Sequence, residues 1–265
     1  MQKNKEYWIN RLIQESDDIY KKSTIDILDE VSKVYLTTQK EILKELTALQ
    51  AYNRSHNVTA LSKEIMLEET LSNVNKNIVL LANNMNDLLT KNLTNTYIQT
   101  YETVNDTLKG LGFNPKAILP ANVEDIIKQP WTGVSFSDRI WHNRDVLVYN
   151  AKDTISNGLI REDSYHNMAT ELSKKMNSSY SNSRRLIETE VQASQVKANI
   201  DNYKNNGIEK VEISAVLDSK CCMDCMDHDG KIIDSDKIQV YEVVRHPRCR
   251  CTTLPCIYID GELIK

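Results

Sequence analysis

Glycine and proline are scarce, seven and five in 265 residues, and none of the twelve falls before Gly110. A stretch that long without a strong breaker excludes a turn-rich N-terminal part and leaves almost continuous helix. Charge of one sign is lacking too: 33 Lys and Arg stand against 37 Asp and Glu, a net −4 mixed throughout, so there is no global pull toward nucleic acid and any DNA contact must be local. The opening Met-Gln-Lys-Asn-Lys-Glu-Tyr-Trp-Ile9 has no apolar run long enough for a secretory signal or a membrane span. A protein made and kept in a reducing cytoplasm, with no membrane partner, is expected. Asn-x-Ser/Thr triplets such as Asn92-Leu-Thr94 then carry no meaning for glycosylation.

What is present first is helical period. Leu28, Val31, Tyr35, Ile42, Leu46 and Leu49 fall on one stripe, and Leu67, Leu71, Val74, Ile78, Leu81, Met85 and Leu88 alternate steps of four and three. This predicts two long amphipathic helices joined by the polar turn Asn53–Thr59, with Thr59 or Ser62 capping the second. An antiparallel hairpin burying its own seam is favoured over a seam that docks on a partner. Between Gly110 and Ser137 three prolines and three glycines predict a loop region, which includes Leu119-Pro-Ala-Asn122. Helix is expected again from Ser137 to near Gly158 and from Glu162 to about Lys175. Ser178-Ser-Tyr-Ser-Asn-Ser183 predicts a break, and a further helix runs from near Ser183 to Asn205-Asn-Gly207, where Gly207 fits a left-handed C-cap. Val211–Leu217 alternates and is β-branched, Asp229-Gly230 is a turn, Lys231–Asp234 a short strand, and Thr252–Ile259 an extended tail.

All six cysteines lie in the last 45 residues, as Cys221, Cys222, Cys225 and Cys249, Cys251, Cys256, with His228 and His246 among them. A Cys-x-x-Cys turn brings two thiolates within reach of a tetrahedral ion, and a distant pair supplies the other corners. Cys222 with Cys225 and His246 with Cys249 are favoured, with Cys251 as the substitute ligand, because Cys249 and Cys251 on an extended strand would face opposite sides. The expected cofactor is one structural zinc ion. Disulfides, or buried thiols that meet no metal, are the alternatives.

The order Arg185-Leu-Ile-Glu-Thr-Glu190, Gly207-Ile, Val211–Asp218, Cys225-x-x-x-Asp229-Gly-Lys231 and His246-Pro-Arg-Cys-Arg-Cys-Thr-Thr253 resembles the Mu F-like head morphogenesis domain of tailed-phage minor head proteins. The run Pro130–Trp141 is also similar to that family. The resemblance covers about residues 130 to 255; Cys221 and His228 depart from its pattern. It implies a structural component of a phage or prophage head, present in few copies and placed beside the portal during procapsid assembly. The portal is then the expected partner, the major capsid or scaffold protein further ones, the virion head interior the location, and assembly or genome packaging and ejection the roles.

The fold class expected is mostly α: a long N-terminal helical hairpin and helical middle region, then a small Cys/His-stapled α+β module. The boundaries are an arm at 1–115, a linker at 116–137, the helical part of the head morphogenesis domain at 138–206 and the module at 207–265. No enzyme activity is expected. The runner-up is a metal-dependent DNA-binding protein or nuclease, in which Asp227-His228-Asp229 would act; the chain lacks the second metal-binding His or Asn on a following helix. Glu188-Thr-Glu190 echoes an ADP-ribosyltransferase Glu-x-Glu, but no Ser-Thr-Ser strand precedes it, and a solvated helix face with intrahelical ion pairs is expected. Cys222-Met-Asp-Cys225 has no βαβ surroundings for a thioredoxin-like pair. Arg245, Arg248 and Arg250 are the candidate phosphate contacts for non-specific DNA; their pairing with nearby aspartates is favoured over it.

Overall fold

The computed structural model describes residues 2–54, 59–118, 122–259 and 262–264. The chain runs α1 (Gln2–Asn53), α2 (Ala60–Gly110), α3 (Val123–Lys128), α4 (Phe136–Ile160), α5 (Tyr165–Asn205), β1 (Lys210–Ser214), α6 (Met223–Met226), β2 (Ile232–Asp234), α7 (Val240–Val243), β3 (Thr252–Ile259) and β4 (Glu262–Ile264). It is mostly α with a small antiparallel sheet of order β2-β1-β3-β4 at the C-terminal end. Two compact units are discontinuous in sequence, because α1, α2 and α5 contribute residues to both.

One unit comprises residues 28–88 and 137–184, and its described elements are all helices. Val31, Tyr35, Ile42, Leu46 and Leu49 of α1 are buried, as are Val74, Ile78, Leu81 and Met85 of α2, while Leu28, Leu67, Leu71 and Leu88 are only half-buried. The seam does not close on the α1–α2 hairpin alone: Ile78, Leu81 and Met85 line one small cavity with Ile140 and Leu147 of α4. Tyr35 Oη lies 2.9 Å from both Ser179 Oγ and Ser183 Oγ of α5, and Gln39 donates to Ser173 Oγ. Four helical segments therefore share this core. Thr59 caps α2 through its Oγ1, which accepts from the Ser62 N–H at 3.2 Å; residues 55–58 of the expected turn lie outside the described residues, as do residues 119–121 of the expected loop.

The expected break at Ser178–Ser183 is not there; α5 is continuous for 41 residues. Serine in a helix interior competes for the backbone unless its hydroxyl is used elsewhere. Here Ser181 bonds back to the Asn177 carbonyl, and Ser179 and Ser183 face Tyr35. The helix ends as expected at Gly207, whose φ of +71° permits the bonds Ile208 N–H to Tyr203 O and Gly207 N–H to Lys204 O. Within the stretch expected as loop, α3 is a short helix with Glu124 and Asp125 in its first turn and Lys128 in its last.

The other unit comprises residues 1–27, 89–136 and 185–265. Its core joins Ile9 and Leu12 of α1, Val104 and Leu108 of α2, Val196, Ile200 and Tyr203 of α5, and Val211, Ile213 and Ile257 of the sheet, with Cys225, Cys249 and Cys251 in the same cluster. From Leu186 to Tyr203, α5 is buried almost all round although rich in polar residues. Those side chains bond to neighbouring segments: Ser194 to the Leu93 carbonyl, Gln195 to that of Ser16 and Asn202 to that of Tyr101. The Glu188-Thr-Glu190 run is therefore not a solvated face. Glu190 is 4% exposed and accepts from Trp131 Nε1 at 2.8 Å, and Glu188 reaches Arg248. What makes the run look solvated, its charge, is taken up by partners distant in sequence.

Gly110, the last residue of α2, lies against Trp8 of α1: a Cβ there would sit 2.1 Å from the indole Cε2. Alanine gains up to about 1 kcal/mol in helix propensity, but a rigid ring cannot yield as a flexible side chain does. Gly110→Ala is expected to lower stability by about 1–3 kcal/mol, read as a shifted urea midpoint; an unchanged or raised midpoint would show that the indole has room.

Candidate metal centre

Two short turns carry the clustered donors. After β1 the chain reaches Cys222, in extended conformation as the N-cap of α6, and its sulfur accepts from the Cys225 N–H at 3.4 Å. The cap that starts the helix thus also points both sulfurs to one side. The second turn follows α7, which a Gln239/Glu242 capping box starts. There the Cys249 N–H bonds to the His246 carbonyl at 3.1 Å, and Arg248 takes φ +63° between them. That strained residue is held from both ends: its N–H bonds to Thr189 Oγ1 and its guanidinium to Glu188, both on α5. Gln192, one turn further along α5, donates to the Cys251 carbonyl at 2.9 Å.

The donors meet at short range. His246 Nε2 is 3.3 Å from Cys222 Sγ and 3.2 Å from Cys225 Sγ, and Cys225 Sγ is 3.7 Å from Cys249 Sγ. Cys222, Cys225 and His246 form one compact triad and Cys225, Cys249 and Cys251 a second, with Cys225 common to both. The second triad is fully buried, whereas Cys222 and His246 are partly open. All five sequence-derived donors are therefore brought together. Cys221 is half-buried beside Cys222, and Cys256 is on β3 opposite Lys210; neither joins a triad.

The imidazole is oriented for a cation. Its Nδ1 lies 2.8 Å from the Pro247 carbonyl, which can only accept, so Nδ1 carries the proton and the Nε2 lone pair faces the sulfurs. That carbonyl is the chief reason the His246 pKa is raised, and the sulfurs of Cys249 and Cys222 add to it. Burial pushes the Cys225 thiol up to about 12, while the Cys225 N–H draws the Cys222 thiol down. Cys249 is drawn down to about 5, first by the Cys251 thiol and then by backbone amides. A cation among these sulfurs favours every thiolate and offsets the burial that holds Cys225 protonated. The donor set, soft sulfur with one imidazole and no carboxylate, suits zinc or another thiophilic ion. This cluster can hold a metal ion.

The three arginines of the second turn are engaged with carboxylates. Arg245 grips Asp224 with two bonds of 2.6 and 3.0 Å, Arg250 bonds Asp218 at 2.6 Å, and Arg248 bonds Glu188 at 2.5 Å. The first two brace one turn against the other; only Arg248 pairs with a glutamate rather than an aspartate. His228 Nδ1 is 2.8 Å from the Asp224 carbonyl and Asp229 accepts the Ala215 N–H, and neither residue belongs to a donor triad among the described residues. Glu188, Thr189 and Gln192, which hold the second turn, were not legible as site residues. Glu188 and Thr189 belong to the run Arg185-Leu-Ile-Glu-Thr-Glu190, and each lies one helical turn from Gln192, at i+4 and i+3.

The class of protein is thus a helical chain whose C-terminal part carries a Cys/His centre on two turns, the second held against α5. Residues 150–254 match the family described as Phage Mu protein F like protein. The match takes in the end of α4, all of α5 and both Cys/His turns; the run Pro130–Trp141 lies outside it. No curated protein and no solved structure matches the chain. Among the described residues no helix is long and apolar enough to cross a membrane.

Proposed function

We propose that this protein is a non-enzymatic minor component of a tailed-phage or prophage head, that it associates with the portal during procapsid assembly, and that it assists genome packaging or ejection. The observation that carries the reading is the family match over residues 150–254, which contains the whole Cys/His centre. In this reading the centre holds one structural zinc ion. Cys222, Cys225, His246, Cys249 and Cys251 are the residues available to it, and zinc would supply cross-linking of the two turns rather than chemistry. The chain's own residues support that role: burial of Cys225, Cys249 and Cys251 leaves little room for a substrate, and Asp224 and Arg245 clamp the turns from outside.

Location of the protein's density in purified heads, compared with heads lacking it, tests the portal assignment; density on the outer shell or in no fixed place would overturn it. A variant with both His228→Ala and Asp229→Ala is expected to leave head assembly and infectivity unchanged, whereas Cys225→Ala is expected to impair incorporation. Metal-dependent DNA cleavage by the purified protein, lost in His228→Ala, would replace this reading with a nuclease.

A further inference from the structure

Cys249 and Cys251 do not face opposite sides of a strand. The chain between them precedes β3 and is not strand, so strand alternation does not apply, and both sulfurs lie with Cys225 within a group 4.8 Å across. Five donors therefore compete for the four corners of a tetrahedral site. Neither Cys249 nor Cys251 falls in the triad that contains His246, so proximity to the imidazole does not separate them.

Their chain environment does. Cys249 closes an i, i+3 turn on His246 through its N–H and the His246 carbonyl, while Cys225 closes one on the Cys222 sulfur, and Cys225 belongs to both donor triads and so links the two turns. A tetrahedral zinc site with sulfur at ~2.3 Å and nitrogen at ~2.0–2.1 Å has edges of about 3.8 Å between sulfurs and about 3.6 Å between sulfur and nitrogen. The observed separations of 3.7 Å for Cys225–Cys249, and 3.3 and 3.2 Å from His246 to the first turn, approach those edges. Cys251 lies outside either turn. Gln192 of α5 holds its carbonyl, and the next residue, Thr252, opens β3 opposite Ser214. Drawing its sulfur in from its place near Cys225 to ligating range of Cys222 and His246 would pull on both anchors.

We infer that the two turns close on one divalent ion through Cys222, Cys225, His246 and Cys249, and that Cys251 packs behind them without ligating. This rests on the metal reading above and decides its ligands. The test is cobalt substitution of the full chain under reducing conditions. Wild type is expected to bind one Co²⁺ per chain with a thiolate-to-cobalt charge-transfer band. Cys251→Ala should keep the stoichiometry and the band, and Cys249→Ala should lose about one third of its intensity as three thiolates become two. A loss in Cys251→Ala with none in Cys249→Ala overturns the assignment, and so does a band unchanged in both. Because Cys249→Ala can unfold its turn, X-ray absorption of the zinc-loaded wild type gives an independent reading: three sulfurs and one nitrogen are expected, and four sulfurs or two overturn the set. Wild type that binds no stoichiometric cobalt or zinc sinks the metal reading and this one together, whereas one bound ion with another sulfur count sinks the ligand set alone.

Discussion

Chelation under reducing conditions is expected to open residues 215–231 and 244–251 while the helices of residues 28–53 and 66–88 keep their protection. The two segments are joined to the rest of their unit at few points. The first is tied to β1 by Gly230 N–H to the Ile213 carbonyl and Ile213 N–H to that of Lys231, the second to α5 by the Thr189, Glu188 and Gln192 contacts, and the Arg245–Asp224 and Arg250–Asp218 pairs join the two segments to each other. The ion pairs contribute about 0–1 kcal/mol each and the hydrogen bonds about 0.5–1.5 kcal/mol each. A closed zinc site contributes about 10–16 kcal/mol in apparent terms, so the ion outweighs them all. Its loss also leaves Cys225, Cys249 and Cys251 as mutually crowded buried thiols in the core that Val243 and Val244 complete. The long helices of this unit have their own bonds, Gln195 to Ser16, Ser194 to Leu93 and Asn202 to Tyr101, and are expected to open last. Hydrogen exchange read peptide by peptide, with and without chelator, checks this. Identical exchange in the two segments would show that the turns stand without an ion.

Much of this architecture follows from local signals. The heptad stripes, the Gly207 terminus and the strands at Val211, Ile232 and Thr252 rest on periodicity, a left-handed glycine and β-branching, all of which act within a few residues. The clustered cysteines are legible for the same reason, since a turn of three residues fixes the spacing of two sulfurs. What was not legible depends on partners far away in sequence. Ser179 and Ser183 read as a break because nothing nearby announces Tyr35, more than 140 positions earlier. Glu190 reads as solvated because Trp131 and the packing around α5 are invisible locally. The relation of Cys249 to Cys251 was misjudged because β3 begins only at Thr252, so strand alternation does not hold between them.

Leu81→Asp is expected to unfold the unit formed by residues 28–88 and 137–184. Leu81 is 3% exposed, midway along α2, with Ile78 one turn before it and Met85 one turn after. Across the small cavity they face Ile140, Leu147 and Arg144, which pairs with the adjacent Asp145. A carboxylate placed there loses its hydration, costing several kcal/mol even where it takes up a proton. The lost leucine adds about 2–5 kcal/mol for its transfer and cavity terms. Together these rival the whole stability of a domain, about 5–15 kcal/mol. Had the seam been a docking face, the variant would stay helical in isolation and fail only in assembly. Since Leu81 is covered by α4 within its own unit, the expected result is a large loss of helical circular dichroism in the isolated protein. Leu80→Asp is the control, because Leu80 is adjacent in sequence but 57% exposed, and its spectrum should match wild type. A Leu81→Asp protein with wild-type helicity and an unchanged urea midpoint would show that the seam is not an internal core.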